Sequence, residues 1–317
     1  MTPELTIGVD VGGTKCLGVV LTADGEVTAE HRVPTPREPH EVIDAIAGVA
    51  RELQAGAPAA TRVGVGAPGL IDRTGVLRFA PNLGPAAEVP VRAGLLERLP
   101  GSTIVVENDA NCAAWGEWVG GAARGVDDVL MITLGTGIGG GIILGGALFR
   151  GANGFAGEIG HVVVDPHGPH CPCGQRGCWE RYASGSGLGW LAREAAVAGQ
   201  ATRVVELAGG DPESVRGEHV TRAAAEGDAQ AQAVMERFAW WVALGLANLA
   251  NVFDPSRFVL GGGLIEAGAL LIEPVSRQFL ELVEAAAHRP PIEIVPATLG
   301  ERAGAIGAAD LARLPSA

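Results

Sequence analysis

LTIGVDVGGTKCLGVVLT, residues 5–22, reads as two apolar strands joined by a glycine turn, Asp10-Val11-Gly12-Gly13-Thr14-Lys15. A nucleotide P-loop would end Gly-Lys-Thr and open a helix; here the order is Gly-Thr-Lys and a strand-like run follows. The arrangement recurs at 129–146, VLMITLGTGIGGGIILGG, with the turn Leu134-Gly135-Thr136-Gly137-Ile138-Gly139. GVGAPG at 64–69 and GTGIGG at 135–140 both match the dinucleotide fingerprint. Pro68 interrupts the first and a strand-like run follows the second, where that fingerprint needs a helix, which argues against a Rossmann reading. Two strand–glycine-turn–strand units predict two related lobes around a cleft.

Outward from these turns, VTAEHRV forms a third strand after a hairpin at Asp24-Gly25. A helix is expected over 39–54, then a strand in RVGVGAP, a looping segment through Phe79-Ala80-Pro81-Asn82, a strand in STIVVEND and a helix in ANCAAWGEWVGGA. That β-β-β-α-β-α order describes a mixed sheet flanked by helices, an α/β fold. Later come helices near 184–199 and 218–252, a strand with a glycine turn in RFVLGGGLI, and a helix near 267–286. A strand in PIEIVPA and a closing helix in ERAGAIGAADLARL complete the chain. No solenoid repeat is present.

The 317 residues are 47% hydrophobic and 19% charged, a globular composition long enough for a large core. A net charge of −13 argues against a nucleic-acid backbone as partner. Met1–Leu5 lacks the basic start of a signal peptide. The uncharged run Phe238–Phe253 is too short for a membrane span. An odd count of five cysteines, three of them within 171–178, does not read as a disulfide framework, and a reducing cytoplasm is the expected compartment.

Exposed amides at glycine turns cradle phosphate oxygens, and a carboxylate such as Asp10 holds Mg²⁺ through water. Asp109, in Glu107-Asn108-Asp109 at a strand end, suits either a helix cap or a general base; with phosphate loops present, a kinase needs the base. HVVVDPHGPHCPCGQRGCWE, residues 161–180, brings Cys171, Cys173 and Cys178 together with three histidines. Three thiolates and one imidazole make a closed, structural zinc arrangement. The chemistry leaves the choice among His161, His167 and His170 open.

The two glycine turns, followed by Gly261-Gly262-Gly263, resemble the two phosphate loops and the adenosine loop of the actin/hexokinase/Hsp70 superfamily. GEIGH at 157–161, the Cys-rich run after it and DVGGTK together resemble the ROK family of bacterial sugar kinases and repressors, along essentially the whole chain. The resemblance implies a two-lobe ATPase fold with a cleft: a small lobe of 1–115 plus about 300–317, and a large lobe of 116–299. It implies zinc on His161, Cys171, Cys173 and Cys178. Sugar contacts fall to Gly69, Asn82, Asn108, Asp109, Glu158, His161 and Glu180, with Asp109 as catalytic base. ATP contacts fall to Asp10, Gly12, Gly13, Thr14, Lys15, Gly135, Thr136, Gly137, Gly261, Gly262 and Gly263.

The activity so implied is transfer of the γ-phosphoryl group of ATP, with Mg²⁺, to the 6-hydroxyl of glucose, by a homodimer or homotetramer. Rivals are kinases for fructose, mannose, N-acetylglucosamine or N-acetylmannosamine, a polyphosphate-dependent glucokinase, and a sugar-binding regulator. Regulators of the family carry a further N-terminal winged helix-turn-helix. An acidic chain whose first phosphate-loop strand starts near Met1 argues against that. One departure from the family's pattern follows Asn82, where Leu-Pro-Gly-Trp is expected and Leu83-Gly84-Pro85-Ala86 stands.

Overall fold

The computed structural model describes residues 5–79 and 88–314. In chain order the elements are β1 (Thr6–Val11), β2 (Lys15–Leu21), β3 (Val27–Pro34), α1 (Pro39–Gly56), β4 (Arg62–Ala67), β5 (Leu70–Ile71), β6 (Leu77–Phe79), α2 (Val91–Arg98), β7 (Thr103–Asn108) and α3 (Asp109–Gly120). There follow β8 (Val129–Leu134), β9 (Ile138–Leu144), β10 (Ala147–Leu148), α4 (Glu180–Ala183), α5 (Gly185–Val197), α6 (Thr202–Leu207), α7 (Gly217–Ala225) and α8 (Ala229–Phe253). The last are β11 (Arg257–Gly261), α9 (Ala269–Leu282), β12 (Glu293–Pro296) and α10 (Ala303–Leu311).

The chain divides into two compact units, Met1–Met131 with Gly141–Gly157 and Thr298–Ala317, and Ile132–Gly140 with Glu158–Ala297. One five-stranded sheet has the order β3-β2-β1-β4-β7; the other runs β10-β9-β8-β11-β12. Both follow one plan: three consecutive strands from an edge inward, then two later ones. In the first sheet, β1 is antiparallel to β2 and parallel to β4, which is parallel to β7. Among the described residues no helix is long and apolar enough to cross a membrane.

Burial explains the first sheet's strands. TIGVDV of β1 is buried at nearly every position, as a central strand covered on both faces must be, whereas edge strand β3 is partly or fully exposed throughout. Ile7, Val9 and Val11 share a core cluster with Val42, Ile46, Val49 and Leu53, one stripe of α1. Each such side chain contributes about 1.5–3 kcal/mol on full burial.

Helix α10 is built of small residues because it packs backbone to backbone. A side chain at Gly8 or Gly64 would collide with the carbonyl oxygens of Ala305 and Ala308, and one at Gly307 with that of Cys112. This approach sets the start of α10 against the end of β1, where Asp10 lies.

Three features differ from the sequence expectation. The apolar run at 218–252 is two helices, since Gly227 adopts φ 88° and the Asp228 side chain caps α8 by accepting the Ala231 N–H at 2.7 Å. The short β5–β6 pair and α2 occupy ground read as loop. Helix α9 ends at Leu282, four residues early.

Candidate active site

In the first unit, the turn after β1 is closed by the Gly12 N–H donating to the Lys15 carbonyl at 2.9 Å, and Thr35 Oγ1 donates to the Gly12 carbonyl at 2.7 Å. Gly13 and Thr14 are exposed at its tip. Lys15 forms an ion pair with Glu301, which also accepts from Arg32 at 2.6 Å.

Asp10, next to last in β1, occupies a space that two glycines leave free. A side chain at Gly304 would strike its carboxyl carbon, and one at Gly66 would crowd Oδ1. Burial, and then the charge of Asp109, push its pKa up to about 7, against the opposing pull of Lys15. A buried carboxyl raised in part by a second carboxylate, Asp109, suits a divalent cation, so the residues fit magnesium.

Asp109 is the first residue of α3, and burial raises its pKa while the Ala110 N–H, donated to its Oδ1 at 2.8 Å, opposes the rise. The cap of α3 is Asn108, whose Oδ1 accepts the Asn111 N–H at 3.0 Å. The capping duty that would have explained Asp109 away therefore belongs to its neighbour. Asn108 Nδ2 donates to the Gly69 carbonyl at 3.2 Å, with Gly69 at φ 97°. Two predicted sugar residues are thereby tied to each other. Asn82 lies outside the described residues.

Glu107, Asn111 and Arg150 form a network to which the sequence reading gave no role. Buried Glu107 accepts from Asn108 N–H and Asn111 Nδ2, each at 3.0 Å, through Oε1, and from Arg150 Nε at 2.5 Å through Oε2. An acidic residue closing an apolar strand was the one available signal.

In the second unit, the turn after β8 is closed by the Gly135 N–H on the Gly137 carbonyl at 3.0 Å and by Gly139 N–H on Thr133 Oγ1 at 3.1 Å. The start of α5 packs on it: Gly185 N–H donates to the Gly135 carbonyl at 2.7 Å and Ser186 Oγ to the Thr136 carbonyl at 2.9 Å. Gly262, at φ 83°, abuts the backbone of Leu134, where any side chain would collide. The predicted adenosine loop Gly261–Gly263 and second phosphate loop therefore meet. Glu180, read as a sugar contact, accepts the Ile138 N–H at 2.9 Å through Oε2 and lies against Gly137, which has room for it only as glycine.

His161, Cys171, Cys173 and Cys178 converge, with ligand atoms all within 4.8 Å of one another. His161 Nδ1 is 3.7 Å from Cys171 Sγ, and Cys173 Sγ is 3.6 Å from Cys178 Sγ. Burial, with Cys173 and Cys171 beside it, pushes the Cys178 thiol up to about 12. Sulfurs this close become thiolates only around a cation, so the donor set fits zinc. His170 is turned to Arg176, 2.6 Å away, and His167 is exposed. The bridge Val163–Cys178 and the Trp179 N–H on the Val162 carbonyl at 2.8 Å join the two ends of the metal segment. Glu158, exposed, sits 3.9 Å from His161 Nε2.

The family model described as ROK family matches residues 6–314. A glucokinase of Streptomyces coelicolor is 43% identical over 314 residues, 98% of each chain. An N-acetylmannosamine kinase of Escherichia coli is 37% identical over 97% of this chain and 98% of its own. Among solved structures, a ROK family glucokinase from Streptomyces griseus in complex with glucose and AMPPNP is 42% identical, with a TM-score of 0.86, covering 98% of this chain and 99% of that one.

Proposed function

This chain belongs to the ROK family, and on that premise we propose that it transfers the γ-phosphoryl group of ATP to the 6-hydroxyl of glucose. Its α/β architecture is the actin/hexokinase-like fold of the ROK sugar kinases.

The observation that carries the mechanism is Asp109: half-buried, of raised pKa, and relieved of the capping role by Asn108. With Oδ1 bonded to Ala110, Oδ2 takes the proton from the attacking hydroxyl, and desolvation makes that carboxylate a stronger base than one in water. Gly69, Asn82, Asn108, Glu158, His161 and Glu180 are assigned to the sugar hydroxyls. The turns at 12–15 and 135–137 offer amides to the phosphates, and Gly261–Gly263 receives the adenosine. Asp10 would hold magnesium, which would supply charge neutralisation at the transferring group. Zinc, when bound by His161, Cys171, Cys173 and Cys178, cross-links the segment that carries Glu158 and Glu180, with no ligand position left for substrate.

We assign the enzyme to the cytoplasm, consistent with five free cysteines, and expect no nucleic-acid or membrane partner. A homodimer or homotetramer remains our reading. Trp241 stacks on Tyr182 at 4.0 Å and Trp190 meets the same ring edge-on, leaving Trp240, 39% exposed, as the outward indole.

The test is a coupled assay over six hexoses with ATP and with polyphosphate. Glucose with ATP should give the highest kcat/KM. A preference for N-acetylmannosamine would move the substrate within the family, and a lack of turnover on every sugar would make the chain a regulator.

A further inference from the structure

We propose that Glu107 and Arg150 are a positioning pair for the phosphoryl acceptor side of the reaction, an inference that rests on the assignment of Asp109 as base. Glu107 has its side chain 8% exposed, an unusual place for a charge unless it is paired and hydrogen-bonded. Both its oxygens are engaged, as described above.

The bonds form a closed ring around the catalytic turn. Glu107 Oε1 holds the Asn108 N–H; Asn108 caps α3 through the Asn111 N–H; Asn111 returns its Nδ2 to Glu107 Oε1. Asn108 is thus fixed at its main chain and its side chain, which fixes the direction in which the next residue, Asp109, leaves the strand. Arg150 supplies the cation that pairs with this buried carboxylate. The buried thiol of Cys112 shows how closely these charges gather. Its pKa is raised by burial and then by Glu107, Asp10 and Asp109, while Arg150 opposes the rise.

Arg150 also opens the loop that the β5–β6 pair holds. Arg73 donates from Nε and Nη2 to the carbonyls of Ala152 and Gly151, at 3.1 and 2.7 Å. Gly154, at φ 97°, packs against the Ile71 carbonyl. One ion pair therefore joins the catalytic turn to a loop anchored elsewhere, and its role is to hold Asn108 and Asp109 in register with the sugar. A displacement of about 1 Å in such a group lowers turnover by roughly a hundredfold.

The experiment compares Glu107→Gln, Arg150→Met, Arg150→Lys, the double variant Glu107→Gln/Arg150→Met, and Asp109→Asn, by steady-state kinetics and thermal melts. Gln keeps an acceptor for Asn108 and Asn111 but turns an amide N–H toward Arg150, so the variant breaks the pair specifically. Glu107→Gln and Arg150→Met should each raise KM for glucose and lower kcat by about tenfold or more, with KM for ATP within about threefold of the parent. Arg150→Lys should recover part of the loss, and the double variant should be about as impaired as the worse single, well short of the product of the two, since both remove one interaction. Singles with parental kinetics, or KM for ATP rising as much as KM for glucose, would overturn the proposal. If Asp109→Asn itself turned over normally, the base assignment beneath it would fail instead.

Discussion

His161 presents Nδ1 to Cys171, 3.7 Å from the sulfur, and so has only its Nε2 edge left for a substrate hydroxyl. On the proposed assignment the ring is divided between metal and sugar. Removing it should lose both: His161→Ala should lack zinc and bind glucose about tenfold or more weakly. His167→Ala and His170→Ala should retain both, because the first imidazole is exposed and the second faces Arg176. Metal analysis beside glucose titration of the three variants checks this; zinc retained in His161→Ala but lost from His170→Ala would refute the ligand set.

Glu180 should matter to both substrates. Its Oε2 accepts the Ile138 N–H at 2.9 Å, so the carboxylate shapes the turn assigned to phosphate as well as the sugar pocket. Leaving a partly buried amide without its acceptor costs about 1–3 kcal/mol. Glu180→Ala should therefore raise KM for ATP as well as for glucose, by about fivefold or more. Glu180→Gln, which keeps a carbonyl for Ile138, should spare ATP. Chelating the zinc should act in the same direction, because Cys178 lies two residues from Glu180. An unchanged KM for ATP in Glu180→Ala would place that carboxylate on the sugar alone.

Asp10 gives the stability a pH dependence of known sign. Its pKa is raised from 3.8 to about 7 in the folded chain, so the fold favours the protonated form. The stability it contributes is fully present below 3.8 and is lost as pH rises through about 7. The melting temperature of the parent minus that of Asp10→Asn should fall across this window in metal-free buffer. Magnesium binds the ionised form, so its stabilisation should grow with pH and vanish in Asp10→Asn. Melting curves that stay parallel from pH 4 to pH 7 would show that the carboxyl is not desolvated.

The two glycine turns and the cysteine cluster were legible because each is local, whereas the choice of His161 came only with the family resemblance. Strand alternation, turn residues and cysteine spacing act within about twenty residues. The break between α7 and α8 was written in Gly227-Asp228, but the apolar period continues across it and hides the cap. Glu180 and Ile138 are 42 residues apart, and Glu107 and Arg150 are 43; no periodicity links them, so only the folded chain shows the bonds. The alanines and glycines of α10 gave little moment to read, because Gly8 and Gly64 select them by backbone contact rather than by side-chain packing.

The claim on which everything else depends is that Asp109 is the base. Asp109→Asn should keep the Ala110 bond through its amide oxygen, preserve the fold, and remove only the proton acceptor. Single-turnover phosphorylation of glucose at saturating ATP, with glucose affinity measured on the same sample, isolates that step. The account predicts a rate lower by about 10²–10⁴ with glucose still bound. A rate near that of the parent enzyme would contradict it and return Asp109 to a structural role at the start of α3.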